Sequence, residues 1–141
     1  MKMIKMLLLS ITLLCFTPQV HSQLLASYEA CILNYGTPDG TGSTKDGDPY
    51  IYYDTAVTTD ASGTFIQRKA MYFMKDKDGE LFCFAWKLLE PKSEVNSNVA
   101  FYNSKFVKIG KMEWEDYETK IIYKVYIEDD LCLTEVWYDY Q

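Results

Sequence analysis

The fold class follows from the carboxyl-terminal segment 119–140, TKIIYKVYIEDDLCLTEVWYDY. A turn centred on Asp129 and Asp130 separates two β-rich arms, and this pattern predicts a β-hairpin. The register places four pairs on one largely apolar face: Ile121 with Tyr138, Tyr123 with Val136, Val125 with Thr134 and Ile127 with Cys132. It also pairs Lys124 with Glu135 on the other face. Because a slip of one residue would scramble both faces, the segment predicts a sheet that anchors the fold.

A second hairpin is predicted over 65–88, where two β-rich runs flank the dipeptide Asp78-Gly79. A two-residue turn there pairs Phe73 with Phe84 and Met71 with Trp86. Phe82 and Leu88 would lie on the same side, so this face is almost wholly apolar and aromatic. The other face is mixed, which is typical of a sheet with one side on the core and one side partly solvated.

The rest of the chain supplies one helix and several short elements. Apolar residues follow one helical face over 23–35 and predict a short amphipathic helix that packs on the sheet, with Gly36 and Pro38 ending it. The remaining elements are a mobile, glycine-rich loop (36–48), a strand (50–58) with a turn (60–63), a polar connection (92–98), two short strands (99–102 and 106–109) and an acidic, aromatic connection (110–118).

These elements predict a mainly β fold, in which an N-terminal amphipathic helix precedes an antiparallel meander. The meander either closes into a small barrel or curls around the helix. In a barrel, ten residues would line a ligand cavity: Met71, Phe73, Phe82, Phe84, Trp86, Ile121, Tyr123, Val125, Val136 and Tyr138. In a curled sheet the same residues are simply core.

Residues 1–22 have the pattern of a secretory signal peptide, with two lysines, an apolar run and a short polar end. We therefore expect a single secreted domain over 23–141, extracellular or, in a bacterium, periplasmic. Loss of the two signal lysines changes the net charge from −6 to −8. This charge argues against nucleic acid and anionic membranes as partners, because both attract basic surfaces. The apolar run is also shorter than a membrane span.

Three cysteines remain after the signal, namely Cys31, Cys83 and Cys132. In an oxidising compartment they predict one disulfide and one leftover thiol. Spacing does not determine the pair, and we favour Cys31 with Cys132. The wide spacing resembles no zinc motif, and the aspartates near 46–48 and 76–80 belong to turns without the ligand pattern of a calcium loop. No metal or cofactor is expected.

Histidine is absent after the signal, because the one histidine is His21. Hydrolases that use histidine as a base or metal ligand are thereby excluded in their usual forms. Paired carboxylates could still catalyse glycoside hydrolysis, but the acids cluster at turns, where they stay solvated. The sequence thus predicts no catalytic residue and a protein that is not an enzyme.

The segment Tyr123-Lys124-Val125-Tyr126 leads to Cys132 within a meander of aromatic strands behind a helix. In these features the chain over 50–138 resembles the lipocalins, particularly the divergent salivary lipocalins of blood-feeding arthropods. The resemblance implies a barrel that sequesters a small ligand, either an amine or a lipid.

An amine ligand requires a carboxylate for its charge and an aromatic face for cation–π contact. The aromatic candidates are Trp86, Trp114, Trp137 and Tyr123, and the acidic candidates are Glu113, Glu118 and Glu135. A lipid would use the apolar lining alone. The predicted ligand-binding set is Met71, Phe73, Phe84, Trp86, Tyr123, Val125, Val136, Tyr138 and Glu135.

A protein-interaction or inhibitor module is the alternative function, because a helix followed by an antiparallel sheet is also typical of cystatin-like proteins. The loop 36–48 and the acidic segment 113–118 would then contact a protein partner, with no ligand cavity. The Gln-x-Val-x-Gly motif of true cystatins is absent.

Overall fold

The computed structural model describes residues 24–139 of the 141-residue chain. The predicted signal peptide 1–22 lies outside the described residues. The elements in chain order are α1 (Tyr28–Tyr35), β1 (Gly40–Ser43), β2 (Pro49–Thr59), β3 (Gly63–Lys75), β4 (Leu81–Pro91), a 3-10 turn (Lys92–Glu94), α2 (Val95–Lys105), β5 (Val107–Gly110), β6 (Glu113–Asp116), β7 (Ile121–Glu128) and β8 (Leu131–Tyr138).

All eight strands form one antiparallel sheet in the order β1-β2-β3-β4-β8-β7-β6-β5. The mainly β, antiparallel prediction is therefore confirmed. The closed barrel is wrong, because β1 and β5 lie at opposite borders and do not pair with each other. The simple meander is also interrupted once. After β4 the chain passes through α2 to the far border and returns, so that β8 pairs with β4. Each half is thus a helix followed by four strands.

The β7–β8 hairpin has the predicted register in every pair, including Lys124 with Glu135. Its turn residues Asp129 and Asp130 have φ angles of 51° and 61°, as a two-residue type I′ turn requires. The turn residues, the apolar face and the cross-strand charge pair all indicate the same register, and the structure has this register.

The β3–β4 hairpin differs from its prediction near the turn. Met71 pairs with Trp86 as expected, but Phe73 pairs with Cys83 and not with Phe84. The reason is a β-bulge that leaves Phe84 without a partner in the ladder. The turn is also longer than two residues, because the Asp76 carboxylate accepts hydrogen bonds from the backbone N–H groups of Asp78 and Glu80.

The structure differs from the prediction in four segments, and the first is the polar connection 92–98, because 95–98 already belong to α2. Residues 99–102 belong to α2 and not to a strand, because Tyr102 is buried against the sheet and holds the helix there. The loop 36–48 contains the edge strand β1, and the connection 110–118 contains β6 around the fully buried Trp114. In the range 23–35 the structure shows α1, which Ser27 caps by accepting a hydrogen bond from Ala30 N at 3.1 Å.

The core lies between one face of the sheet and the two helices. Cross-strand pairing places Ile51, Met71, Trp86, Val136, Tyr123 and Trp114 in a single row on this face. Cys31 of α1 and Tyr102 of α2 join the same buried cluster, so both helices cover the same side. In the described part of the chain, no helix covers the opposite side, which we call the open face.

Candidate functional site

The open face carries a cross-strand row of Tyr50, Tyr72, Ala85 and Trp137. The next row contains Lys87 and Glu135, which pair directly across β4 and β8. Aromatic rings and charged groups therefore alternate along strands whose other side is core. This is the sheet surface that remains available for binding, because the helices occupy the other one.

A groove of about 520 Å³ lies at one end of the open face, between the β1–β2 turn and strands β3, β4 and β8. Eleven residues line it: Thr44, Asp46, Asp48, Tyr72, Phe84, Ala85, Trp86, Lys87, Glu135, Trp137 and Tyr138. Its volume falls in the range typical of small-molecule sites. The β4 bulge contributes to it, since the unpaired Phe84 is one of the lining residues.

The acidic rim of the groove is a tight turn over 44–48. Thr44 N donates to Asp48 O at 2.8 Å, and Gly47 N donates to Thr44 O at 2.9 Å. Asp48 N also donates to Thr44 Oγ1 at 3.1 Å, while Gly47 has a φ of 88°. This turn fixes the backbone of Asp46 and Asp48 beside the aromatic row.

The strand β1 contains two glycines because tyrosine rings lie across it. Gly42 pairs with Tyr50, and a Cβ atom on Gly42 would collide with the Tyr50 ring. That ring in turn lies 5.5 Å from the ring of Tyr72, centroid to centroid, at the groove. The glycine therefore keeps the aromatic row in place.

We expect Gly42→Ala to lower the free energy of unfolding by about 1–2 kcal/mol, because the new methyl group displaces the Tyr50 ring. Chemical denaturation followed by circular dichroism measures the change. Thr41→Ala, at the exposed neighbouring position, is the matched control and should cost less than about 0.5 kcal/mol. Equal stability of the two variants would contradict the steric role of Gly42.

The charged pair within the groove is internally neutralised. Lys87 Nζ lies 2.8 Å from Glu135 Oε1, and the Tyr126 hydroxyl donates to the same oxygen at 2.7 Å. Burial raises the pKa of the Glu135 carboxyl, but the hydrogen bonds from Lys87 and Tyr126 outweigh it and hold this pKa below its ordinary value. Asp46 and Asp48 are thus the carboxylates that give the groove a net negative charge at neutral pH.

The rings of the groove already contact a cation. Lys87 Nζ lies 5.7 Å from the centroid of the Tyr72 ring, within cation–π range. Rings on one side and carboxylates on the other suit a small organic cation. The lining contains neither cysteine nor histidine.

The predicted ligand-binding set is split by the structure. Glu135, Phe84 and Tyr138 line the groove, and so does Trp86, which is also part of the buried core cluster. The other five are buried in the core beneath the helices: Met71, Phe73, Tyr123, Val125 and Val136. Among the other aromatic and acidic candidates for an amine site, Trp137 lines the groove, whereas Trp114 is core and neither Glu113 nor Glu118 lines it.

Sequence reasoning missed six of the lining residues: Thr44, Asp46, Asp48, Tyr72, Ala85 and Lys87. The period-two pattern of β3 and β4 signals Tyr72 and Lys87, since both face away from the core row. No local pattern brings 44–48 to strands forty residues away. The loop 36–48 and the acidic segment 113–118 lie toward opposite borders of the sheet.

Two further observations concern the part of the chain from 24 to 139. It contains no group of three or more histidine, cysteine, aspartate or glutamate residues arranged to hold a metal ion. None of its helices has the length and apolar character needed to cross a membrane. Comparison with protein-family models, with curated proteins and with solved structures finds no match.

Proposed function

We propose that this protein binds a small organic cation, an amine, in the groove of the open face and acts as a secreted sequestering protein. The observation that carries the proposal is one groove that combines rings (Tyr72, Phe84 and Trp137 on the strands) with rim carboxylates (Asp46 and Asp48) that form no ion pair within residues 24–139. Secretion is the expectation from residues 1–22.

Charge favours an amine over a lipid. The chain has a net charge of −6, and the one lysine in the groove is already paired with Glu135. A protonated amine gains cation–π contact with the rings and Coulomb attraction from the rim. A fatty acid would place its carboxylate against the two aspartates and lose affinity.

Titration with tryptamine and with its neutral analogue tryptophol tests the proposal. The two molecules share the indole and differ in the ammonium group, so their difference isolates the charge. We expect tryptamine to bind at least about tenfold more tightly and to weaken as salt rises. Isothermal titration calorimetry measures both. Equal affinity, binding of neither, or tight binding of lauric acid alone would contradict an amine site.

Two variants locate the site. Trp137→Ala and Asp48→Asn should each weaken tryptamine binding by roughly tenfold, since one removes a ring and the other a charge. Tyr117→Ala is the matched control, because Tyr117 is an exposed ring elsewhere on the surface. Unchanged affinity in both groove variants, or an equal loss in the control, would place the binding elsewhere.

A further inference from the structure

The segment before α1 is fixed to the start of β4 by backbone hydrogen bonds. Leu25 N donates to Cys83 O at 2.7 Å, and Cys83 N donates to Ala26 O at 2.9 Å. Ser27 continues this contact by forming a β-bridge with Phe82. Cys31 follows one helical turn later, since its N–H donates to Ser27 O at 3.0 Å. The helix therefore carries Cys31 directly over Cys83.

The two thiols meet in the core. Cys31 and Cys83 are fully buried and hydrogen-bond to each other through their side chains. This hydrogen bond lowers the pKa of Cys31, against the effect of burial, and the nearby Lys69 ammonium assists it. The same hydrogen bond, together with burial, raises the pKa of Cys83. Both shifts belong to the state in which α1 is docked on the sheet.

Cys132 lies in a different part of the core. It pairs with Glu90 on β4, seven residues beyond Cys83, which corresponds to about 23 Å along the strand. Its sulfur accepts a hydrogen bond from Asn98 at 3.6 Å. A disulfide needs Cα atoms within roughly 7 Å, so Cys132 cannot reach either of the other two. The preference for Cys31 with Cys132 is therefore wrong, and all three are free thiols in the structure.

We propose that Cys31 and Cys83 form the disulfide of this protein in an oxidising compartment, joining α1 to β4, while Cys132 stays a thiol. The Cys31 thiolate attacks a low-molecular-weight disulfide such as oxidised glutathione and releases one glutathione thiolate. Cys83 then loses its proton, attacks the sulfur of Cys31 and displaces the second glutathione. Two protein thiols are oxidised and one external disulfide is reduced. Since both thiols are buried afterwards, the exchange precedes docking of α1.

Peptide mapping tests the pairing directly. The full chain carrying Cys15→Ser is refolded in a glutathione redox buffer, alkylated, digested without reduction and analysed by mass spectrometry. We expect one cross-linked peptide pair joining Cys31 to Cys83, and an alkylated Cys132. A link to Cys132, or alkylation of all three cysteines, would overturn the proposal.

Thermal unfolding with and without a reductant provides a second, independent measurement. Reduction should lower the Tm of the Cys15→Ser chain by about 10 °C, because it removes the cross-link between α1 and β4. Adding Cys132→Ser should preserve this shift, and adding Cys31→Ser should abolish it. Loss of the shift in the Cys132→Ser chain would contradict the assignment. If the Cys31→Ser chain fails to fold, the peptide map still shows which two cysteines are linked.

Discussion

Replacement of Trp114 by alanine is expected to lower the free energy of unfolding by about 4 kcal/mol, the largest loss from any single change considered for this protein. The side chain is completely buried, and its ring centroid lies 5.5 Å from that of Tyr102 on α2. Truncation leaves a cavity between β6 and the helix that the rigid neighbouring rings cannot fill. Urea unfolding followed by far-ultraviolet circular dichroism measures the loss.

A second variant separates the contribution of the Trp114 hydrogen bond to stability from the contribution of its packing. Its indole N–H donates to Asn103 Oδ1 at 2.8 Å, and Asn103 is otherwise exposed. Asn103→Ala is therefore the matched control and should cost about 1 kcal/mol. A Trp114→Ala variant no less stable than Asn103→Ala would show that the ring does not support the core.

Replacement of Lys69 by methionine is expected to act in the opposite direction and to stabilise the protein by about 2 kcal/mol at pH 7. Burial lowers the pKa of Lys69 to about 8, against the raising effect of the nearby Cys83 and Cys31. The ammonium hydrogen-bonds Tyr35 at 3.2 Å and lies 4.6 Å from the Trp86 ring centroid. Methionine has a side chain of similar length that can pack on the Trp86 ring, and it removes the free-energy cost of a buried charge.

The pH dependence of this stability gain tests whether the buried ammonium is its cause. The pKa of lysine in the unfolded chain is about 10.4, above the folded value, so below pH 8 both states are protonated and the folded state carries the full cost. Between these two pKa values the unfolded state binds more protons, and the contribution of Lys69 to stability rises with pH. The gain from Lys69→Met should therefore shrink toward zero as the pH rises from about 8 to about 10.4.

Lys75→Met is the matched control, because Lys75 lies on the same strand and is exposed. It should change stability by less than about 0.5 kcal/mol. Guanidinium unfolding in one reducing buffer measures all three proteins across the pH range. A gain in Lys69→Met that is independent of pH, or a loss at pH 7, would contradict the cost of the buried ammonium.

Sequence patterns determined those parts of the fold in which local signals agree. The β7–β8 hairpin has a turn dipeptide, an alternating apolar face and a cross-strand charge pair, and these three signals allow only one register. At β3–β4 the hydrophobic pattern predicts the hairpin but not the bulge that shifts Phe73 onto Cys83. A bulge depends on packing, and here the two residues that it brings together are both fully buried.

Helix α2 and the groove could not be predicted from the sequence for the same reason. The α2 sequence VNSNVAFYNSK is polar and a weak helix former, so its helix depends on contact with the sheet through Tyr102. The groove likewise forms only when the turn at 44–48 meets strands β4 and β8. Both depend on residues distant in sequence, which local periodicity does not report. The two faces of the central strands were predictable, whereas the covering of one face by a second helix was not.

An open sheet has two borders where backbone groups can recruit strands from other molecules. Within the described residues the outermost strands are β1 and β5, each only four residues long, and the ladder of β1 ends at Tyr52, so that 53–59 of β2 also lack a strand neighbour on that side. β1 contains two glycines, which disfavour extended pairing, and β5 contains Lys108 next to a register irregularity. Short length, glycine, charge and irregularity in β1 and β5 each discourage growth into fibrils.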